Sequence, residues 1–215
     1  HFLSIDGKLD LEGDSQLIQE TDSDFDVTSA GTLEKDQQGT ADVHTYNYWS
    51  SPVGETNGTT NNNSYTVTDV MYDGVNPINF INTGYDGSDG ATISIADYWI
   101  WKFANQPDDD YSAWQHVRRS GTLLTGEGFT MKGTTGTSAN NPGDNQNYDF
   151  RGKPNTGTLA ISVANAQFTL VGNPYPSAMD AHAYIHDIEN KAVITGTLYY
   201  WEQNPTVNSH KIADY

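Results

Sequence analysis

The side chains with the most obvious chemistry are a histidine pair, a scatter of carboxylates and one glutamate held between glycines. His182 and His186 stand four apart, and Glu189 follows three residues later. On a helix advancing about 100° per residue, all three would fall in one narrow stripe. Two histidines and a carboxylate form a legitimate zinc ligand set. The metalloprotease form, however, needs Glu directly after the first His, and Ala183 stands there. Three ligands from one short helix also surround an ion poorly, so the stripe reads as surface histidines.

The carboxylates suggest a harder cation. Asp22-Ser23-Asp24-Phe25-Asp26 begins like an EF-hand loop, but Val27 replaces the glycine of the sixth position and Leu33 the glutamate of the twelfth. That reading fails. Asp86-Gly87-Ser88-Asp89-Gly90 and Asp108-Asp109-Asp110 flank the tryptophan-rich run Thr92–Phe103. Asp86, Asp89, Asp108, Asp109 and Asp110 are therefore the candidate calcium ligands, set against the simpler reading of solvated loop acids. Glu127, between Gly126 and Gly128, could supply one half of a glycosidase carboxylate pair, yet an acidic chain offers such pairs everywhere. No G-x-S-x-G elbow, phosphate loop or dinucleotide fingerprint occurs. No catalytic residue emerges, and the expectation is a protein that is not an enzyme.

Composition narrows the partners. With 28 acidic against 10 basic residues the formal charge is −18, so nucleic acid and anionic membrane surfaces are poor partners. There is no Cys, which excludes disulfide frameworks, thiol catalysis and Cys-ligated zinc. No apolar run approaches the roughly 18 residues that span a bilayer. Beginning at His1, the chain reads as processed or as a piece of something longer. Apolar residues make up 35%, but 13 Tyr, 5 Trp and 7 Phe supply bulk enough for a real core.

The elements that must position these groups read as strands. In residues 1–40, Phe2-Leu3-Ser4-Ile5, Leu9-Asp10-Leu11 and Gln16-Leu17-Ile18 are short alternating runs between Gly-containing turns. Such density suits the last coil or coils of a β-solenoid, with an ordinary β-meander as the plainer reading. Residues 41–215 read as a β-sandwich or jelly-roll-like module. Its candidate strands are His44–Trp49, Tyr65–Tyr72, Thr92–Phe103, Ala113–Arg118, Gly128–Lys132, Tyr148–Arg151, Gly157–Val163, Gln167–Val171 and Gly196–Glu202. Thr92–Phe103 should place Trp99, Trp101 and Phe103 on one face. The loops Glu55–Ser64 and Thr134–Gln146 are rich in Asn, Gly and Thr. One helix is expected near 178–190, capped by Ser177 and burying Ala181, Tyr184, Ile185 and Ile188.

Five signatures combine large aromatics with Gly, Pro and Asn: Tyr46–Val53 (YNYWSSPV), Gly126–Gly133 (GEGFTMKG), Asn147–Asn155 (NYDFRGKPN), Leu170–Ala181 (LVGNPYPSAMDA) and Leu198–Gln203 (LYYWEQ). Together they resemble a module of very long secreted surface proteins of Bacteroidetes, particularly flavobacteria. There it follows β-solenoid or other adhesin-like repeats and precedes the sorting domain of the type IX secretion system. The segment Leu9–Leu17 is similar to the coil that ends the solenoid in those proteins. The resemblance spans about Leu3 to Tyr215 and implies an extracellular or cell-surface location in a Gram-negative bacterium. It implies a non-catalytic structural or adhesion role, capping upstream repeats of the same parent chain and presenting loops to a surface glycan or protein. The parent would be exported by the type IX translocon, although no sorting domain follows before Tyr215. The alternative is a carbohydrate-binding accessory module of a secreted polysaccharide-processing protein. Exposed coplanar aromatics would favour the alternative, and buried tryptophans without a cleft would favour the structural role.

Overall fold

The computed structural model describes residues 1–20, 22–135 and 145–200. The expected strand Gly196–Glu202, the Leu198–Gln203 signature and the Thr134–Gln146 loop extend outside the described residues. Four strands lie in the first forty residues: β1 (Phe2–Leu3), β2 (Lys8–Leu11), β3 (Asp24–Phe25) and β4 (Thr32–Thr40). There follow β5 (Tyr46–Trp49), β6 (Val53–Gly54), helix α1 (Val67–Val70), β7 (Met71–Asp73), β8 (Asn76–Pro77), β9 (Asn79–Ile81) and β10 (Ser94–Ala96). The remainder are β11 (Trp101–Lys102), β12 (Gln115–His116), β13 (Phe129–Lys132), β14 (Asn145–Pro154) and helix α2 (Ala181–His186). The fold is all-β.

Its centre is β14. Along this strand Tyr148 and Phe150 point to one side and are fully buried, while Asp149, Arg151 and Lys153 point to the other. One edge of β14 pairs antiparallel with β4 from Asn145–Thr40 to Gly152–Leu33, and the other pairs with β7 and β6. The larger sheet runs β2-β4-β14-β7-β8, with β6 beside the end of β14. A second layer consists of β5 and β13, paired antiparallel. Trp49 of β5 meets Tyr148 at 5.5 Å and Phe150 at 5.9 Å, closing the core between the layers. Phe129 and Met131 of β13 join it, with Leu33, Met71, Ile95 and Leu123 around them. A side chain on Gly152 would collide with the Gly54 carbonyl, so glycine is what lets β6 pair there.

The first forty residues pair in parallel. Leu3 lies beside Phe25 in β1–β3, and Leu9 beside Leu33 in β2–β4. The chain thus returns on itself after 22 and 24 positions, spacings that recur in the bonds Lys35 Nζ to Gly13 O and Ile5 N to Ser29 Oγ. Gly31 passes so close to Gly7 that a side chain would strike its backbone. Because β4 also pairs with β14, residues 1–40 and the remainder share one sheet.

Several expected elements take other forms. Thr92–Phe103 is not one strand, because a 3-10 turn at Asp97–Trp99 interrupts it. Asp97 is buried there and accepts bonds from Arg118 Nη1 at 3.0 Å and from the Arg119 amide, which fixes the bend. Tyr65–Tyr72 contains α1, begun where the Asp69 carboxylate accepts from the Thr66 N–H and hydroxyl, so only Met71–Asp73 remains extended. Ala113–Arg118 shrinks to β12, and Gly157–Val163 forms no strand. Gln167–Val171 makes only the isolated bridges Gln106–Phe168 and Glu127–Val171.

The helix is shorter than expected and packs differently. Asp180, not Ser177, caps it through Ala183 N at 3.0 Å, while the Ser177 carbonyl closes the preceding turn with Asn173 Nδ2. No residue of α2 is buried, and Ile188 is 84% exposed, so the apolar stripe is not a core contact. Replacing Phe150 by Ala should therefore cost about 3–5 kcal/mol, and Ile188→Ala no more than about 0.5 kcal/mol. Guanidinium unfolding of both variants checks this, and equal losses would return the helix to the core.

Candidate functional site

The expected metal ligands do not converge. Asp86 and Asp89 are exposed, and Asp89 Oδ1 accepts from Thr134 Oγ1 at 2.6 Å. Asp108 and Asp110 serve their own turn, accepting from Asp109 N and from Ser112 N and Oγ. His182 and His186 stack with centroids 4.0 Å apart, and His186 Nδ1 lies 2.9 Å from the His182 carbonyl. Glu189 takes no part in that contact. Glu127 is buried against the Lys102 ammonium at 2.9 Å and accepts from Leu124 N, so its partner is a cation rather than a second carboxylate. Asp24 is in β3, and Asp26 caps its own turn through Thr28.

Among the described residues, one group of three carboxylates could hold a metal: Asp10, Glu34 and Asp36, whose oxygens lie within 4.8 Å of one another. Sheet pairing builds it. Asp10 on β2 lies beside Glu34 on β4, which lies beside Arg151 on β14; the next row holds Asp36, Asp149 and Tyr72. Counter-charges are already in place. Lys8 Nζ sits 2.9 Å from Asp10 and 3.4 Å from Glu34, and Arg151 grips Glu34 at 2.6 Å while lying 4.1 Å above the Tyr72 ring. Asp149, 2% exposed, has its carboxyl pushed up to about 7 by burial, with the hydrogen bond and charge of Asp36 adding. No local motif marks this face, because its residues meet only through the register of β2, β4 and β14. The signal available was the alternation of charge in Lys8–Leu11 and Leu33–Asp36.

The outer side of the second layer is aromatic. Asn47 and Trp49 of β5 point inward, whereas Tyr46 and Tyr48 point outward and are half-buried. Trp99 stands edge-on to Tyr46 at 5.9 Å, and Trp114 to Tyr48 at 6.5 Å. Tyr98 touches Tyr85 and Trp99, each at 4.9 Å, then Trp101 at 5.9 Å. His116 lies flat on Trp101, with centroids 3.9 Å apart and planes 3° from parallel. Lys132 Nζ sits 3.7 Å above Trp99 and 4.6 Å above Tyr46, and Arg118 lies 5.5 Å above Tyr98. Of the described tryptophans only Trp49 is buried, and Tyr85 and Tyr111 are 60% and 80% exposed. The signatures thus divide between core and surface.

Fold and surfaces together define an all-β module with a charged side and an aromatic side. A family model described as a domain of unknown function (DUF8693) matches residues 3–215, and the chain belongs to that family. Neither the curated proteins nor the solved structures contain a match. No helix among the described residues is long and apolar enough to cross a membrane.

The charged side carries a pH signature. The Asp149 carboxyl is raised in the folded state from an ordinary value of 3.8 to about 7, so folding favours its protonated form. The stability it contributes is fully present below about pH 4 and is lost as pH rises through 7. Asp149→Asn should remove that slope and raise the melting temperature more at pH 8 than at pH 4. Parallel wild-type and variant curves of Tm against pH would refute the assignment.

Proposed function

We propose that this chain is a non-catalytic structural and adhesion module of a large secreted or cell-surface protein, capping a stack of parallel β-coils. The observation that carries the reading is the parallel pairing of β1 with β3 and of β2 with β4, one turn of chain laid upon the next. A coil stacked this way exposes strand edges that a further coil can continue. The resemblance to Bacteroidetes surface proteins supports the same role. It adds an extracellular location in a Gram-negative bacterium, export of the parent by the type IX translocon, and upstream repeats as the intramolecular partner. The second reading, a carbohydrate-binding accessory module of a polysaccharide-processing protein, is favoured by the half-exposed aromatic side.

Among the described residues β1 and β2 each pair along one edge, and the other edge supplies the test. Sedimentation should show concentration-dependent self-association of this chain, suppressed when a coil of the parent is fused ahead of it. Hydrogen exchange should then slow at Phe2–Leu3 and Lys8–Leu11. A monomer at all concentrations, with no change in exchange on fusion, would overturn the capping role.

Calcium enters this reading through Asp10, Glu34 and Asp36, where it must displace the Lys8 ammonium. Ligand at a hundredfold excess over Kd adds about 2.7 kcal/mol to a folded state that alone binds it. Calcium should then raise Tm more than magnesium, and Asp36→Asn should abolish the rise. An unchanged melting curve would leave Lys8 and Arg151 as the counter-charges of the Asp10–Glu34–Asp36 group.

A further inference from the structure

The aromatic side is built with more order than packing requires. Tyr98 is its hub, meeting Tyr85, Trp99, Trp101 and His116 steeply edge-on at 4.9, 4.9, 5.9 and 5.2 Å, while Trp101 and His116 also stack flat on each other. Edge-on contacts lock the rings without covering their outer surfaces. His116 is exposed, Trp101 is half-buried, and His116 Nε2 is anchored on the Tyr98 carbonyl at 2.8 Å. Trp99 is anchored likewise, its indole N–H donating to the Tyr85 carbonyl at 2.5 Å. The result is a fixed, partly polar platform whose side chains have little rotamer freedom left to lose on binding.

We infer that the ridge of Tyr85, Tyr98, Trp101 and His116 is a binding platform for a neutral glycan. The inference rests on the glycan-presenting part of the function proposed above and names where that contact is made. Charge selects the ligand class. A polyanion would meet a chain of net charge −18. A basic peptide would meet two like charges already on the ring lattice, Arg118 above Tyr98 and Lys132 above Trp99. A neutral sugar meets neither penalty, and its C–H face has the exposed Tyr85 and His116 rings to lie against. Burial also holds the His116 imidazole below its ordinary pKa, with Arg118 adding, which favours an uncharged platform.

Affinity electrophoresis of the purified chain through gels containing a β-glucan, an α-mannan, a xylan or a galactan tests this, with alginate and polylysine as charged controls. At least one neutral polysaccharide should retard the wild type. Tyr85→Ala and His116→Ala should weaken that retardation about tenfold, a loss of about 1.4 kcal/mol, with unchanged melting. Trp101→Phe, which keeps a flat ring, should retain more binding than Trp101→Ala. Absence of retardation in all four neutral gels would overturn the inference, as would retardation by a charged control alone or binding indifferent to the three positions. The capping role is judged separately by hydrogen exchange at β1 and β2, so failure here leaves that reading standing.

Discussion

Every part of this molecule depends on β14 being used on both faces. On its inner face Tyr148 and Phe150 carry the core, which the hydrophobic effect alone would hold. On its outer face the strand presents Asp149, Arg151 and Lys153, of which Asp149 and Lys153 are buried. Buried charges cost several kcal/mol each unless they are paired and hydrogen-bonded. The first forty residues meet all three: Glu34 pairs with Arg151, the carbonyls of Ser29 and Gly31 take the Lys153 ammonium, and burial with the neighbouring Asp36 carboxylate favours the protonated, uncharged form of Asp149. The first forty residues are therefore not an appendage. Without them Arg151 and Lys153 would lose these partners, so that segment and the rest of the sheet are expected to fold as one unit.

The two outer faces are consequently different in kind. Behind the larger sheet lies a ladder of carboxylates crossed by the Lys8 ammonium and the Arg151 guanidinium, which pair with Asp10 and Glu34. Outside the smaller sheet lies a lattice of rings that hold one another edge to face, with Tyr85, Tyr111 and His116 exposed at its surface. The first face is held by charge and the second by ring contacts. This division follows from strand alternation, since Tyr46 and Tyr48 point outward for the same reason that Asn47 and Trp49 point inward.

The all-β class was legible because turn residues punctuate runs of strand formers, and the strands around Tyr46–Trp49, Phe129–Lys132 and Tyr148–Arg151 stand where alternation puts them. β4 was not legible: Thr32–Thr40 contains only Leu33 as an apolar residue and is held by pairing on both edges. The Asp97 bend was hidden because a buried carboxylate met by Arg118 outweighs the β propensity around it. The α2 stripe had the right period but is not buried among the described residues, and periodicity does not reveal which surface will be covered. For the same reason, the sequence did not separate core rings from surface rings. The Asp10–Glu34–Asp36 group required a register that no local pattern encodes, while Asp86, Asp89 and Asp108–Asp110 were found as clusters without a common centre.

The position of the Lys153 clasp has a mechanical consequence. In the antiparallel β4–β14 ladder, the start of β4 at Thr32 and the end of β14 at Pro154 lie at the same end. A tensile load pulling on the two flanking segments would peel the ladder open one rung at a time instead of shearing all rungs together. Lys153, bound to Ser29 and Gly31 immediately outside that end, is the first linkage such a load would meet. It is a rivet at the mouth of a zip, and the force at which the module opens depends on that one ammonium group more than on the length of the strands behind it.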